Sequence, residues 1–475
     1  MADSPFTDHT TLFSGPYFHV DLSGLDARHP VHYSQRLLIF RCSSSEQRDA
    51  QLAAFKTGLQ ALVERCPLLG GIVAPLSPDE ARDGREDWCT IVPGKGMELI
   101  VRDLRTAIPS FEELEAADFP TLKLPFNLLM PVPAHIGNDR PFAACKMQFS
   151  AIEGGSILTW SMTHCLADGS GNNELMRVLS EETRLARKGT SSSMAKEVRS
   201  TGIGLDRSII LDLKSDLPFN IEDHPAYLLK TPPPANPPPA ELTPHHPFQA
   251  TGPETEILLR ISPASLAQLK ADATTPGAPH ISTHDALVAL IWRTVLLVRS
   301  RRSAQAKEIP ALTLGSVFFP SDARRHLNLP QSYVGNAVYQ LTAALDLGTL
   351  LSPSGLKEAA STIRRAITAV NPGKVSSLLA KTNETWIDWQ FMNSYSTTGV
   401  AMGTDWTSGV LYSQDWGEAF GPLVRYRYPS VEGEGGCCVL PKLPDGSAEV
   451  TVGVIPEEEA VVRGFEGFGK YLDAR

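Results

Sequence analysis

Apolar positions recur at two spacings along this chain. Within residues 43–66, Leu52, Phe55, Leu59, Leu62, Val63 and Cys66 fall three or four apart, the repeat that lines one face of an α-helix. Ser43 and Glu46 have capping-box spacing at its start, and Pro67 stops it. Over residues 157–164 the repeat shortens to two, so Leu158, Trp160, Met162 and His164 share one side of a predicted strand that ends at His164. Asp168, Gly169 and Ser170 then supply turn and cap chemistry, and Leu175, Met176, Leu179 and Leu185 resume a helical face.

Residues 232–253 contain nine prolines, including PPP twice. Such a segment cannot be helix or central strand, and it predicts an extended, semi-rigid linker. Beyond it the pattern restarts with a strand near 256–261, a helix from Ser262 and a long buried helix from 284 to about 299. Strand and helix signals alternate on both sides, predicting an α/β (α+β) build of two domains, 1–228 and 255–475, joined by a crossover at 229–254. No repeat with a period of about 20–50 residues is visible, which disfavours a solenoid or propeller.

Composition narrows the class. The chain has 475 residues, 42% hydrophobic and 20% charged, ordinary globular usage that excludes a disordered, collagen-like or coiled-coil protein. Its 43 Lys and Arg against 53 Asp and Glu leave a net charge of −10, so nucleic acid and anionic membrane are not expected partners, and an anionic ligand needs a local basic patch. The seven cysteines are odd in number and scattered, without C-x-x-C or Cys/His ligand spacing; no metal site is expected, and reduced thiols suit a cytoplasmic protein. The N-terminal residues show no secretory signal pattern, and the most apolar run, 286–298, contains Arg293 and is shorter than the ~20 residues a bilayer requires.

The chemically suggestive segment is His164-Cys-Leu-Ala-Asp168-Gly169. An imidazole at a strand end, mostly neutral near pH 7, can take a proton from a hydroxyl and return it to a leaving group. A carboxylate four residues later can brace the turn. Cys165 adjoins His164, but strand neighbours point to opposite faces, which disfavours a Cys–His nucleophilic pair. Serine-hydrolase elbow, P-loop, dinucleotide and H-E-x-x-H patterns are absent from the sequence.

Several segments, taken in order, resemble the BAHD acyltransferases, in particular the fungal branch that includes trichothecene acetyltransferases. They are Leu22-Ser-Gly-Leu25-Asp26; Cys66-Pro67-Leu68-Leu69-Gly70-Gly71; H164-C-L-A-D168-G169; Ile281-Ser282-Thr283-His284-Asp285-Ala286-Leu287; Asp322-Ala323-Arg324-Arg325 with Tyr333-Val334-Gly335-Asn336; and Asp415-Trp416-Gly417 before Gly421-Pro422. Trp416 stands where the family usually has Phe, His284 where it usually has Asn, and the interval from Gly417 to Gly421 is longer than the family's.

The resemblance implies two chloramphenicol-acetyltransferase-like domains facing each other across a central solvent tunnel, with His164 near its middle as general base. It implies that Asp168 pairs with Arg324 or Arg325, and that Asp415 braces a loop on the donor side. It further implies acyl-CoA, most simply acetyl-CoA, as co-substrate with no tightly bound cofactor, a small-molecule alcohol as acceptor, and a monomer. Asn336, Ser316, Trp406 or a backbone N–H are oxyanion-donor candidates, and Trp416 a shaping residue. Between Arg293 and Arg325 seven basic residues face two acidic ones in sequence, so Ser282, Thr283, Arg301 and Arg302 are the expected contacts for the nucleotide end. The expected activity is O-acylation, most simply O-acetylation, of a secondary-metabolite hydroxyl such as that of a terpenoid, polyketide or alkaloid. Alternatives are elimination, cyclisation or isomerisation in the same site, or a non-catalytic binding protein.

Overall fold

The computed structural model describes residues 6–27, 32–77, 79–81, 88–133, 141–186, 202–229, 255–305, 314–385, 387–389, 399–405, 410–428 and 434–472. Two six-stranded mixed sheets organise them. The first runs His9–Phe13, Met97–Asp103, Cys145–Ile152, Gly155–Thr163, Tyr33–Arg41 and Arg425–Arg427; the second runs Thr255–Ile261, Ala448–Val454, Cys437–Val439, Gly399–Asp405, Leu314–Asp322 and Val338–Asp346. Most neighbours are antiparallel, so the alternating signals describe an α+β arrangement. The Pro-rich stretch from 230 lies outside the described residues. Arg425–Arg427, far beyond that stretch, adds an edge strand to the first sheet by pairing with Leu37–Ile39, so that sheet draws on both ends of the chain.

Helices Ser45–Arg65 and Gly169–Ala186 pack together over the first sheet. Gly58 permits their close crossing, because a Cβ there would sit 2.4 Å from Thr183 Oγ1 and 2.8 Å from its backbone nitrogen. The first helix begins one residue later than the spacing suggested. Ser44 is its cap, accepting from the Gln47 N–H at 3.1 Å, while Gln47 Oε1 reaches back to the Ser43 N–H at 2.9 Å. Consecutive serines make both caps legible in sequence, and the helix places Phe55, Leu59 and Leu62 in the core with Leu158, Trp160 and Met162. The long helix spans Thr283–Gln305 and packs against Pro263–Ala273 and Gly355–Thr368. No helix among the described residues is long and apolar enough to cross a membrane.

The two sheets meet along a charged seam. Asp118 and Phe119 adopt left-handed φ of 61° and 51°, and their carbonyls accept from Arg427 at 2.9 and 2.6 Å. Arg425 and Arg260 pair with the Asp118 carboxylate. Arg427 is itself matched by Glu449 at 2.9 Å, both buried. Beside them Glu256 is buried with Oε1 unpartnered, and burial pushes its carboxyl up to about 7 against the weaker pull of Arg427.

Glu256 therefore costs stability where it must ionise. Its folded value lies above its ordinary 4.5, so the unfolded chain releases this proton first and stability falls as pH rises from about 4.5 to about 7. The expected outcome for Glu256→Gln in urea unfolding is a gain of up to ~3 kcal/mol near pH 8 that closes towards pH 5. A gain of equal size at both pH values would contradict this reading.

Candidate active site

The Gly155–Thr163 strand delivers His164 to the seam between the sheets. Thr163 donates its N–H to the Ala144 carbonyl at 2.9 Å, and His164 donates its own to the His32 carbonyl at 3.2 Å. The two rings lie 5.1 Å apart, tilted by 49°. From the second sheet, just before strand Val338–Asp346, Asn336 brings Oδ1 to 3.0 Å from His164 Nδ1. Asn336 gives its Nδ2 hydrogens to Asp26 Oδ1 and to the His164 carbonyl, each at 2.8 Å. Its oxygen thus accepts from Nδ1–H, and Nε2 carries the lone pair.

After a single turn, Asp168 starts helix Gly169–Ala186, Oδ1 accepting from the Gly171 N–H at 2.9 Å. The same carboxylate takes a bidentate contact from Arg324, Nη1 to Oδ2 and Nη2 to Oδ1 at 2.8 Å each, and a 2.9 Å bond from the Ala337 N–H. Arg324 also donates to the carbonyls of Tyr333 and Gly335 at 3.0 and 3.1 Å. Both residues are almost fully buried, with 1% and 2% of their side-chain surface exposed. Burial alone would raise the Asp168 carboxyl; Arg324 and the two backbone donors outweigh it and hold it below the usual range. Gly171 lets the helix start approach the second sheet, where a Cβ would meet Ala167 Cβ at 2.9 Å and the Gly335 nitrogen at 3.3 Å.

His164 keeps part of its surface open though densely enclosed by protein. That enclosure depresses its pKa below 6.5, opposed by Asp168 and the Asn336 bond and reinforced by Arg36. The ring is neutral at pH 7. Among the described residues no three His, Cys, Asp or Glu side chains converge as metal ligands.

Residues 32–182 match the trichothecene 3-O-acetyltransferase-like N-terminal domain. Eremophilane O-acetyltransferase prx11 of Penicillium rubens is 25% identical over 96% of this chain and 99% of its own length. The crystal structure of TRI101 from Fusarium sporotrichioides, complexed with coenzyme A and T-2, superposes with a TM-score of 0.76 at 21% identity, covering 96% of this chain and 99% of that one. The chain resembles the fungal BAHD-like acyltransferases, the trichothecene acetyltransferases among them. Enoyl-CoA isomerase/hydratase claC of Penicillium crustosum is 29% identical over 94% of the chain, which spans 50% of claC.

Other expected site residues fall elsewhere. Arg324, not the exposed Arg325, meets Asp168. Asn336 has both amide hydrogens engaged, by Asp26 and by the His164 carbonyl. Asp415 is exposed, its Oδ1 accepting from Gly417 N–H at 2.9 Å and its Oδ2 lying 3.5 Å from Arg184; it fixes a surface turn against the end of helix Gly169–Ala186. Trp416 packs edge-on against Phe40 at 5.4 Å within the core. Trp406 lies outside the described residues. Ser282 caps the long helix through Asp285, and Thr283 is exposed beside it.

The basic run meets acidic partners. Arg301 pairs with Glu466, Arg302 with Glu458 at 2.6 Å and Glu434 at 3.3 Å, and buried Arg299 with Glu434 at 3.3 Å. Acidic residues from the C-terminal segment thus face a stretch that looked locally basic. Two residues went unread as site members, buried Asp26 and Arg207, paired at 3.1 Å. Asp26 sits in the quoted Leu22–Asp26 segment, but Arg207 carries no motif.

Removing one partner from a buried ion pair exposes the other's desolvation. Asp168→Asn is expected to cost ~3–5 kcal/mol in urea unfolding. Because its folded pKa is lowered, the carboxylate's contribution is complete above its ordinary value and vanishes only as pH falls through the lower folded one, so the loss should match at pH 5 and pH 8. A cost below ~1 kcal/mol would mean the pair is not needed for folding.

Proposed function

We propose that the chain is an acyl-CoA-dependent O-acyltransferase, with acetyl-CoA as the simplest donor, that esterifies a hydroxyl of a small secondary metabolite with His164 as general base. One observation carries the reading: a part-open imidazole whose Nδ1–H is held by Asn336, leaving Nε2 as the acceptor. Nε2 takes the alcohol proton as its oxygen attacks the thioester carbonyl. The tetrahedral oxyanion collapses, the C–S bond breaks, and the proton passes from His164 to the departing thiolate, giving ester and free coenzyme A. The base is regenerated and no acyl-enzyme forms. Asp168, occupied by Arg324, keeps the turn in place and moves no proton. The names of prx11 and TRI101 support O-acetylation of an alcohol, and the coenzyme A in the TRI101 complex supports the donor class. A passage between the two sheets, with the donor and the alcohol approaching His164 separately, belongs to the same proposal, as does the division into an N-terminal unit carrying His164 and a C-terminal unit carrying Asn336.

The name of claC favours a second reading, in which the same imidazole assists an elimination or isomerisation without acyl transfer. The two differ in thiol release. Incubation with acetyl-CoA and an extract of cells lacking the gene is expected to give free thiol in step with a product heavier by one acyl group. Product without thiol would support the second reading. His164→Ala should fold normally and lose at least ~10²-fold in kcat; wild-type turnover in that variant would remove His164 from the mechanism. Since the ring must be neutral to act, the wild-type rate should fall as pH drops through a value below 6.5, and an acid limb above 6.5 would contradict the assignment.

A further inference from the structure

The orienting amide leans on a second buried ion pair that the mechanism has not yet used. Asp26, in the short helix Gly24–Ala27, is wholly inaccessible. Its Oδ1 accepts from both the backbone N–H and the side-chain Nδ2 of Asn336, at 2.8 Å each. Its Oδ2 accepts from Ser23 Oγ at 2.8 Å and from Arg207 Nε at 3.1 Å. Arg207 donates elsewhere to the carbonyls of Leu166 at 2.7 Å and Leu205 at 3.3 Å, and Leu166 lies two residues beyond the base.

A carboxylate only accepts hydrogen bonds, and this constrains Asn336 to one orientation. Were the amide turned over, its oxygen would face Asp26 Oδ1 and the His164 carbonyl, two acceptors at 2.8 Å, and its NH₂ would face Nδ1. The imidazole would then have to keep its lone pair on Nδ1 and its proton on Nε2, where the alcohol must deliver one. The Asn336 atom that faces Nδ1 therefore decides whether His164 can act as a base, and the acceptors Asp26 Oδ1 and the His164 carbonyl decide which atom that is.

We infer that Asp26 is a positioning residue for acyl transfer, acting through Asn336 to fix His164 with its proton on Nδ1 and its lone pair on Nε2. This rests on reading His164 as the base. Arg207 supplies the countercharge that lets a carboxylate occupy so buried a place. The other charged or titratable groups around the ring are His32 at 5.1 Å, Asp168, whose charge Arg324 balances, and Arg36, which opposes protonation.

The test begins with the wild-type protein carrying ¹⁵N-histidine, the His164 signals being located by their loss in His164→Gln. Near pH 8 the expected pattern is protonated Nδ1 and unprotonated Nε2; the opposite tautomer would overturn the proposal. Asp26→Asn should then lower kcat by ~10–100-fold, by analogy with the loss of a partner that orients a metal-ligating histidine, with the KM for acetyl-CoA little changed. Its acid limb should move to lower pH, because losing a nearby negative charge disfavours the imidazolium; a merely structural defect would scale the profile without moving it. If uncompensated Arg207 prevents folding, Asp26→Asn with Arg207→Met removes both charges and should show the same fall in kcat. Wild-type kcat in whichever variant folds would overturn the inference. Retained turnover in His164→Ala would instead defeat the base assignment, whereas a dead His164→Ala beside a normal Asp26→Asn would remove only the positioning role.

Discussion

Arg324 is the contact on which the site depends. Its guanidinium donates to both oxygens of Asp168 and to the carbonyls of Tyr333 and Gly335, linking the turn that follows His164 to the loop that carries Asn336. A charge so thoroughly removed from water persists only where a partner of opposite sign and good geometry replaces its hydration. The partners are supplied by both sheets at once, so the pair fixes their relative placement at the site. His164 and Asn336 are 172 residues apart in sequence, and nothing local could hold them in register.

The same rule runs through the rest of the molecule. Three further buried cations are met by carboxylates from other segments: Arg207 by Asp26, Arg299 by Glu434, Arg427 by Glu449. Glu256 is the instructive counterexample, a buried carboxyl whose nearest cation already serves Glu449, and its pKa is displaced upward accordingly. An overall charge of −10 therefore says little about these interior sites, where each cation is matched by its own carboxylate.

What could be read from sequence follows from how local each feature is. The two-residue repeat that ends at His164 and the three- and four-residue repeats of the flanking helices reflect neighbours along the chain, and the strand Gly155–Thr163 and helix Gly169–Ala186 occupy the expected segments. Spacing could not choose between Arg324 and Arg325, since that depends on the direction each side chain takes from the turn Ala323–Arg325. Arg301 and Arg302 looked available because Glu466 and Glu458 lie more than 150 residues away. Asn336 was legible as a polar group near the centre, but its role turns on a carboxylate 310 residues away. The Asp26–Arg207 pair spans 181 residues and had no motif at its basic end.

The central claim is that one imidazole moves a proton between alcohol and sulfur, so that the acyl group passes directly between substrates. Intact-protein mass spectrometry after rapid mixing with acetyl-CoA, with no acceptor present, tests it most directly. Direct transfer predicts a protein of unchanged mass at every mixing time. An acetylated species that forms quickly and disappears when the acceptor is added would contradict the account.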